Sequence, residues 1–459
     1  TAAEATLGQI TVSGTTVTLV NGVIADGTYL VEGFAHDTSA TGIIQCGIYT
    51  GDANAFGQLI SLGWEPQYLY RKRIDGASNH LISDVMRGIT TPGNDQQLTA
   101  NTSDAENGSD SVDISASGFL AKDTGIGGWN RNAEVYIYLA IRRPNKPPTT
   151  GTQVYNAIAR TGTGAAATVT GVGFAPDLLM TVLRTSPQGC ATIVDRLRGP
   201  TPVLLSSSTA AENTTYATTE VQSFEMDGFK VGTSAAANWF NGSGSSLINW
   251  FFRRAPGVFD QVCYTGTGAA HTEAHNLGIT PELMIVKKRS AADNWDVYHA
   301  TTGANAFLIL QTTGAVNNSE PTVWNNTTPT ASVFSVGTEA AVNTSGATFV
   351  WYGFATLAGV SKVGSYTGNG TTQTINCGFS AGARFVLIKR TDSTGDWYIW
   401  DTVRGIIAGD DPHLSLNTTA AEVTTDDSID PDASGFIVNQ LAATNINVSS
   451  ASYIFLSIA

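Results

Sequence analysis

Lysine and glutamate are scarce in this chain, and cysteine occurs only four times in 459 residues. Gly, Thr, Ser, Asn and Ala take their place, a composition that suits strands and tight turns better than long helices. A sustained period of 3.6 is missing, which removes the amphipathic-helix classes. So is any apolar stretch long enough to cross a bilayer as a helix, so no membrane insertion is expected. The chain opens TAAEATLG, with neither an initiator Met nor a signal peptide, and the expectation is that it is processed, trimmed or a fragment. Basic residues are outnumbered, 24 Lys and Arg against 38 Asp and Glu, for a net charge of −14. Gripping nucleic acid needs a basic face, so that class is set aside. Cys46, Cys190, Cys263 and Cys377 fall at different points of the repeats described below. They therefore suit neither a repeated disulfide nor a zinc cluster, and free thiols fit a protein made in a reducing cytosol. A Gly-x-Ser-x-Gly elbow and a phosphate-cradling loop are also missing.

What is present is enough apolar surface to build cores: 42% hydrophobic residues with 14% charged. The clearest stretch is Pro281–Tyr298, in which an apolar run (Leu283–Val286) leads through Lys287, Lys288 and Arg289 into a polar turn and an aromatic run. Such a pattern predicts a β-hairpin. It returns at Phe385–Trp400 and, more weakly, at Tyr68–Leu81 and Leu178–Val194.

Three further landmarks recur at spacings of about 100 residues, the size of a small domain. Tyr-Thr-Gly opens each repeat at Tyr49, Tyr264 and Tyr366, with Arg160 standing for the Tyr in the second. A small-residue run ends at Glu106, Glu212 and Glu422. An Asn lies six residues before each closing apolar strand: Asn130, Asn241, Asn343 and Asn447. That constant offset predicts a tight turn feeding the strand. The closing strands, such as 349–355 and 453–459, are apolar on both faces and call for a central position or a neighbouring domain against them.

The sequence thus predicts an all-β protein: a tandem array of four β-sandwich repeats of about 100 residues preceded by a half-repeat. The boundaries read 1–38 for the orphan C-terminal half-repeat, then 39–143, 152–254, 257–357 and 360–459. The Pro-rich linker at 142–151 and the units' separation suggest sandwiches strung in line.

Several groups invite chemistry. His271, Glu273 and His275 share one strand face, an arrangement that suits a metal or a plain polar strand edge. Asp426, Asp427, Asp430 and Asp432 form an acidic loop, with Asp110 and Asp113 at a similar place in the first repeat, but the Gly turn and terminal Glu of a calcium loop are absent. The basic knot at 287–289 reads as a solvated hairpin end or a weak anion contact. Glu106, Glu212 and Glu422 are the recurrent acids, but an active site is usually built once, and a residue repeated in register serves the fold. No enzyme, no cofactor and no resident metal is expected. Trp295, Tyr298, Trp397, Tyr398 and Trp400 crowd the second strand of two hairpins. They either stack on sugars or anchor a protein interface, or they pack against the adjacent domain.

Assembled, the landmarks resemble the tandem domains of uncharacterised fibre-like virion proteins of tailed bacteriophages. The residues that carry this are Tyr264–Gly268, Leu277–Leu283, Val286–Arg289, Asn294-Trp295 and Ser335–Gly337, extended by Tyr366–Gly370, Ile388–Asp392 and Gly395–Trp397. The resemblance implies a structural or adhesive virion protein, a tail fibre of stacked sandwiches. Its partners would be other virion proteins, copies of itself and a host-surface glycan or protein. A head decoration protein is the alternative within that class, and a carbohydrate-binding module or glycan-degrading enzyme the alternative outside it.

Overall fold

The alternation of β-branched and aromatic residues with small polar ones makes the strand the dominant regular element. In the computed structural model, helix among the described residues amounts to a 3₁₀ turn at Gly151–Gln153 and one turn at Ala340–Asn343. The described residues are 34, 36–39 and 41–459, less 124, 126–127, 186–190, 216–219 and 234–238, together with the backbone of strands Ile10–Ser13 and Thr16–Leu19. The closing strand expected at 29–35 lies outside them apart from Phe34, as does Cys190.

Each of the four repeats is a sandwich of one large and one small antiparallel sheet. In the third, the large sheet runs in the order Phe259–Thr265, Thr348–Phe354, Leu283–Lys288, Trp295–His299, Ala306–Ile309 and Asn317–Asn318. The closing strand therefore lies second, hydrogen-bonded on one side to the opening strand and on the other to the predicted hairpin. The same order holds in the fourth repeat, with Ser452–Ile458 between Ser361–Thr367 and Phe385–Arg390. The small sheet covers one face of the large one, and Phe334, Val336, Trp324 and Trp351 fill the space between.

The repeated landmarks are one device. The buried Asn before each closing strand clamps the opening turn: Asn343 Oδ1 accepts the N–H of Thr267 at 2.8 Å, and its Nδ2 donates to the Ala269 carbonyl at 2.7 Å. Asn241 and Asn447 repeat both bonds. The Gly beside the turn is obligatory because a Cβ on Gly266 would stand 2.3 Å from the Thr344 carbonyl oxygen. At Gly51, Gly162 and Gly368 the corresponding distance is 2.2 Å. The Asn is thus a bridge between the two ends of the repeat as well as part of a turn.

The chain divides into two compact units, Thr1–Arg143 and Pro144–Ala459. The first holds the first repeat; its large sheet contains Ile44–Thr50, Val135–Arg142, Pro66–Arg73, His80–Asp84, Asp95–Thr99 and Asn107–Ser109. The second holds the other three repeats, and here the expectation of sandwiches strung in line is corrected. The outer faces of the three large sheets turn inward onto one shared core, with Trp250 and Phe252 from the second repeat, Tyr352 and Phe354 from the third, and Leu456 and Ile458 from the fourth. The Phe252 ring lies 5.5 Å from Phe385 and 5.9 Å from Phe354, edge to face in both cases. The physical reason is in the closing strands: apolar on both faces, each needs cover on the side its own small sheet does not reach.

Candidate functional site

The residues with the most chemistry in the second unit lie at the three joints between its repeats. Arg289 follows the first hairpin strand of the third repeat. Its guanidinium grips Glu212 of the second repeat, with Nε to Oε2 at 2.8 Å and Nη2 to Oε1 at 3.1 Å. Glu212 also accepts from Arg198 Nη1 at 3.0 Å, and Arg198 Nε pairs with Asp195 in its own repeat. Asp195 Oδ2 then accepts the Tyr352 hydroxyl of the third repeat at 2.7 Å, so the network returns to the repeat it began in. Arg198 and Asp195 side chains are wholly buried. Burial would push the Glu212 carboxyl up, but Arg198 and Arg289 hold it below its ordinary value.

The joint between the second and fourth repeats is built the same way. Arg184 holds Glu422 at 2.7 Å, Glu422 accepts from Arg404, Arg404 pairs with Asp401, and Asp401 accepts the Trp250 indole N–H at 2.8 Å. At the remaining joint, between the fourth and third repeats, the corresponding places are held by Thr391, Val316, Thr302, His299 and Leu456. A backbone bond fixes the equivalence: Val316 N–H donates to the Thr391 carbonyl, as Glu212 does to Arg289 and Glu422 to Arg184. The three joints close a ring, two with a buried charge network and one without.

The sequence candidates are placed within this scheme. Trp295, Tyr298, Trp397, Tyr398 and Trp400 are all buried, and none presents a ring face to solvent. Trp295 and Trp397 face the neighbouring repeat: Trp295 Nε1 donates to the Leu205 and Ser208 carbonyls at 3.1 Å, and Trp397 Nε1 to the Ile309 carbonyl at 3.2 Å. Tyr298 lies in the internal core of the third repeat, and Tyr398 and Trp400 in that of the fourth.

The basic knot is not solvated, contrary to the sequence reading. Lys287 Nζ is inserted between the Thr209 and Asp293 carbonyls, 2.9 Å from each, and Lys389 reaches Thr313 and Gly395 in the same way. Burial lowers both ammonium groups to about 8. The strand alternation that places one lysine toward a neighbour was visible in the sequence, but the neighbour was not.

The metal candidates do not converge. His271 Nε2 meets Glu273 at 3.1 Å, whereas His275 is buried against Trp351 and directs Nε2 to the Thr330 carbonyl. Among the described residues no group of three or more His, Cys, Asp or Glu could hold a metal ion. The acidic loops are engaged in turn: Asp427 and Asp430 accept from Asn439, and Asp110 and Asp113 from Lys122.

Beside the joint that lacks the network, a polar cleft of about 450 Å³ opens between the third and fourth repeats. Glu282, His299, Lys362, Gln373 and Asn376 line it. Sequence reasoning missed His299 together with Asp195, Arg198, Asp401 and Arg404. The signal that finds them is a recurrent Asp-x-x-Arg-Gly at Asp84, Asp195 and Asp401, replaced in the third repeat by His299-Ala-Thr-Thr-Gly303. Burial pushes the His299 imidazole down to about 4, so it is neutral at pH 7. The cleft can offer hydrogen bonds to a polar ligand.

Comparison with known proteins adds a family and little chemistry. The model of the Domain of unknown function (DUF7483) matches residues 3–144 and 150–459, breaking in the Pro-rich linker, and its second stretch takes in the whole three-repeat ring. No curated protein matches the chain.

Proposed function

We propose that this chain, which belongs to the DUF7483 family, is a non-enzymatic structural or adhesive protein of a tailed-bacteriophage virion. In this reading it is a fibre component assembled in the host cytoplasm. Its sandwiches contact other virion proteins, copies of itself and the host surface. One observation carries the proposal: the carboxylates, guanidinium groups and indoles that could do chemistry are engaged in holding repeats to one another. Pulling two repeats apart would break these buried pairs and leave charges unpaired, which holds the repeats in one fixed arrangement.

The test is localisation. Antibody against the chain, viewed by electron microscopy on purified particles, should label tail-associated fibres. Label confined to the capsid would favour a head decoration protein, and particles without label would overturn the virion reading. The polar cleft at 282–376 favours a second reading, a carbohydrate-binding module. Saturable binding on a glycan array without turnover of the same polysaccharides would support it, and turnover would overturn the non-enzymatic assignment.

A further inference from the structure

The first repeat carries the same outer sheet face that the other three repeats bury against one another. Strand register fixes the correspondence. Leu98 pairs with Ile82 as Leu204 pairs with Ile193, Leu308 with Val297 and Leu414 with Ile399. In the ring those three leucines are 1%, 0% and 3% exposed, whereas Leu98 is 38% exposed. Tyr68, Tyr70, Ile82, Ile137 and Leu139 follow suit: all are half-buried, and every counterpart in the second, third and fourth repeats is buried. Leu139, for example, corresponds to Trp250, Tyr352 and Leu456.

The polar groups of the joint are half assembled there too. Lys72 Nζ donates to the Ser78 carbonyl at 3.0 Å, which is the own-repeat bond that Lys287 makes to Asp293 and Lys389 to Gly395. The second bond of those lysines goes to a threonine carbonyl of the neighbouring repeat, at the place that Ser103 holds in the first. Arg87 pairs with Asp84 as Arg198 does with Asp195, yet its buried Nη1 has no hydrogen-bond partner. In the ring that same atom reaches Glu212 or Glu422. The corresponding Glu106 lies exposed.

We infer that the large-sheet face of the first repeat is a trimerisation surface, covered by the first repeats of two further copies of this chain in the closed three-way arrangement that the other repeats adopt among themselves. The occupant follows from the chain's own example: the same strand order, register and lysine position are completed in the ring by two sandwiches of the same kind. A closed threefold ring also removes the open-ended association that a bare apolar face invites. In the trimer, Lys72 donates to the Ser103 carbonyl of a neighbour, and the neighbour presses the 103–106 segment down so that Glu106 reaches Arg87. That pairing stays within one repeat because Ile74 stands where Arg184 and Arg289 stand in the ring. The inference rests on this geometry and is independent of the virion reading.

The test is the mass of the whole chain in solution, by light scattering on a sizing column over a dilution series. Three times the single-chain 48.1 kDa is expected. The Leu98→Asp variant should fall to a single chain with its circular dichroism unchanged, since the side chain is already partly in water. The Met226→Asp variant, at a 69% exposed site of the second repeat, should remain a trimer. A wild-type mass of one chain, as when residues 1–38 cover the face, would overturn the inference. So would a dimer, an open-ended series, or a trimer that Leu98→Asp leaves intact.

Discussion

Substituting Glu212 by Val and Arg289 by Thr tests whether the joints are held by their charge networks, and the chain supplies the control. At the joint between the fourth and third repeats the same places are occupied by Val316 and Thr391, across an unchanged backbone bond. Glu212→Val alone leaves Arg289, which is 5% exposed, without its carboxylate, and Arg198, wholly buried, with Asp195 as its remaining carboxylate. Removing one partner of such a group costs about 3–5 kcal/mol. Arg289→Thr alone is milder, about 2 kcal/mol, because Arg198 still neutralises Glu212. The double variant copies the Val316–Thr391 pair but keeps Arg198 and Asp195. Because Arg289 and Glu212 contact each other directly, it should still cost at least about 1 kcal/mol less than the sum. Urea unfolding followed by tryptophan emission reads the second unit, since every tryptophan except Trp64 and Trp129 lies there. With an m-value of about 3 kcal/mol/M, Glu212→Val should move the midpoint down by about 1 M. A shift in Glu212→Val no larger than that of an exposed substitution, or strict additivity in the double variant, would refute the reasoning.

Other outcomes follow from single contacts. Asn343→Ala removes bonds to two N–H groups and two carbonyls, and should cost at least about 3 kcal/mol by the same unfolding assay. Gly266→Ala, which forces a Cβ against the Thr344 carbonyl, should cost more than about 2 kcal/mol. Trp397→Ala should cost about 3–5 kcal/mol and loosen the fourth repeat from the third, whereas Trp397→Phe should lose about 1 kcal/mol with its one hydrogen bond. His299, lowered to about 4 by burial against an ordinary 6.5, binds its proton in the unfolded chain first. Its contribution is therefore fully present above pH 6.5 and is lost as pH falls from 6.5 to 4, by up to about 3 kcal/mol. Comparing wild type with His299→Asn across that window isolates the effect, and parallel pH profiles would contradict it.

Much of the fold was legible because the repeats state it four times. Tyr-Thr-Gly, the Asn six residues ahead of the closing strand and the hairpin each mark a contact within one repeat, and contacts within a repeat leave a constant spacing. The joints do not. Glu212 was visible as a recurrent acid, yet its partner Arg289 lies in a different repeat, and the pairing pattern emerges only once the ring is closed. The aromatics illustrate the same limit: alternation predicts that Trp295 and Tyr298 leave opposite faces of the sheet, but not that the outer face is covered. Closing strands apolar on both faces were the plainest signal that a neighbour was required.

The ring also sets an order on its own formation. Arg289 and Glu212 are 77 residues apart in the chain, while Arg184 and Glu422 are 238 apart. By loop-closure entropy the longer span costs about 1 kcal/mol more to bring together. During synthesis the second repeat must also wait for the fourth to emerge before that contact exists at all. Until then Trp250 has no Asp401 to donate to, and the apolar face around it stays in water. The joint between the second and fourth repeats is thus the last bond of a clasp. The interval before it snaps shut is when a growing chain is most exposed to pairing with the wrong neighbour.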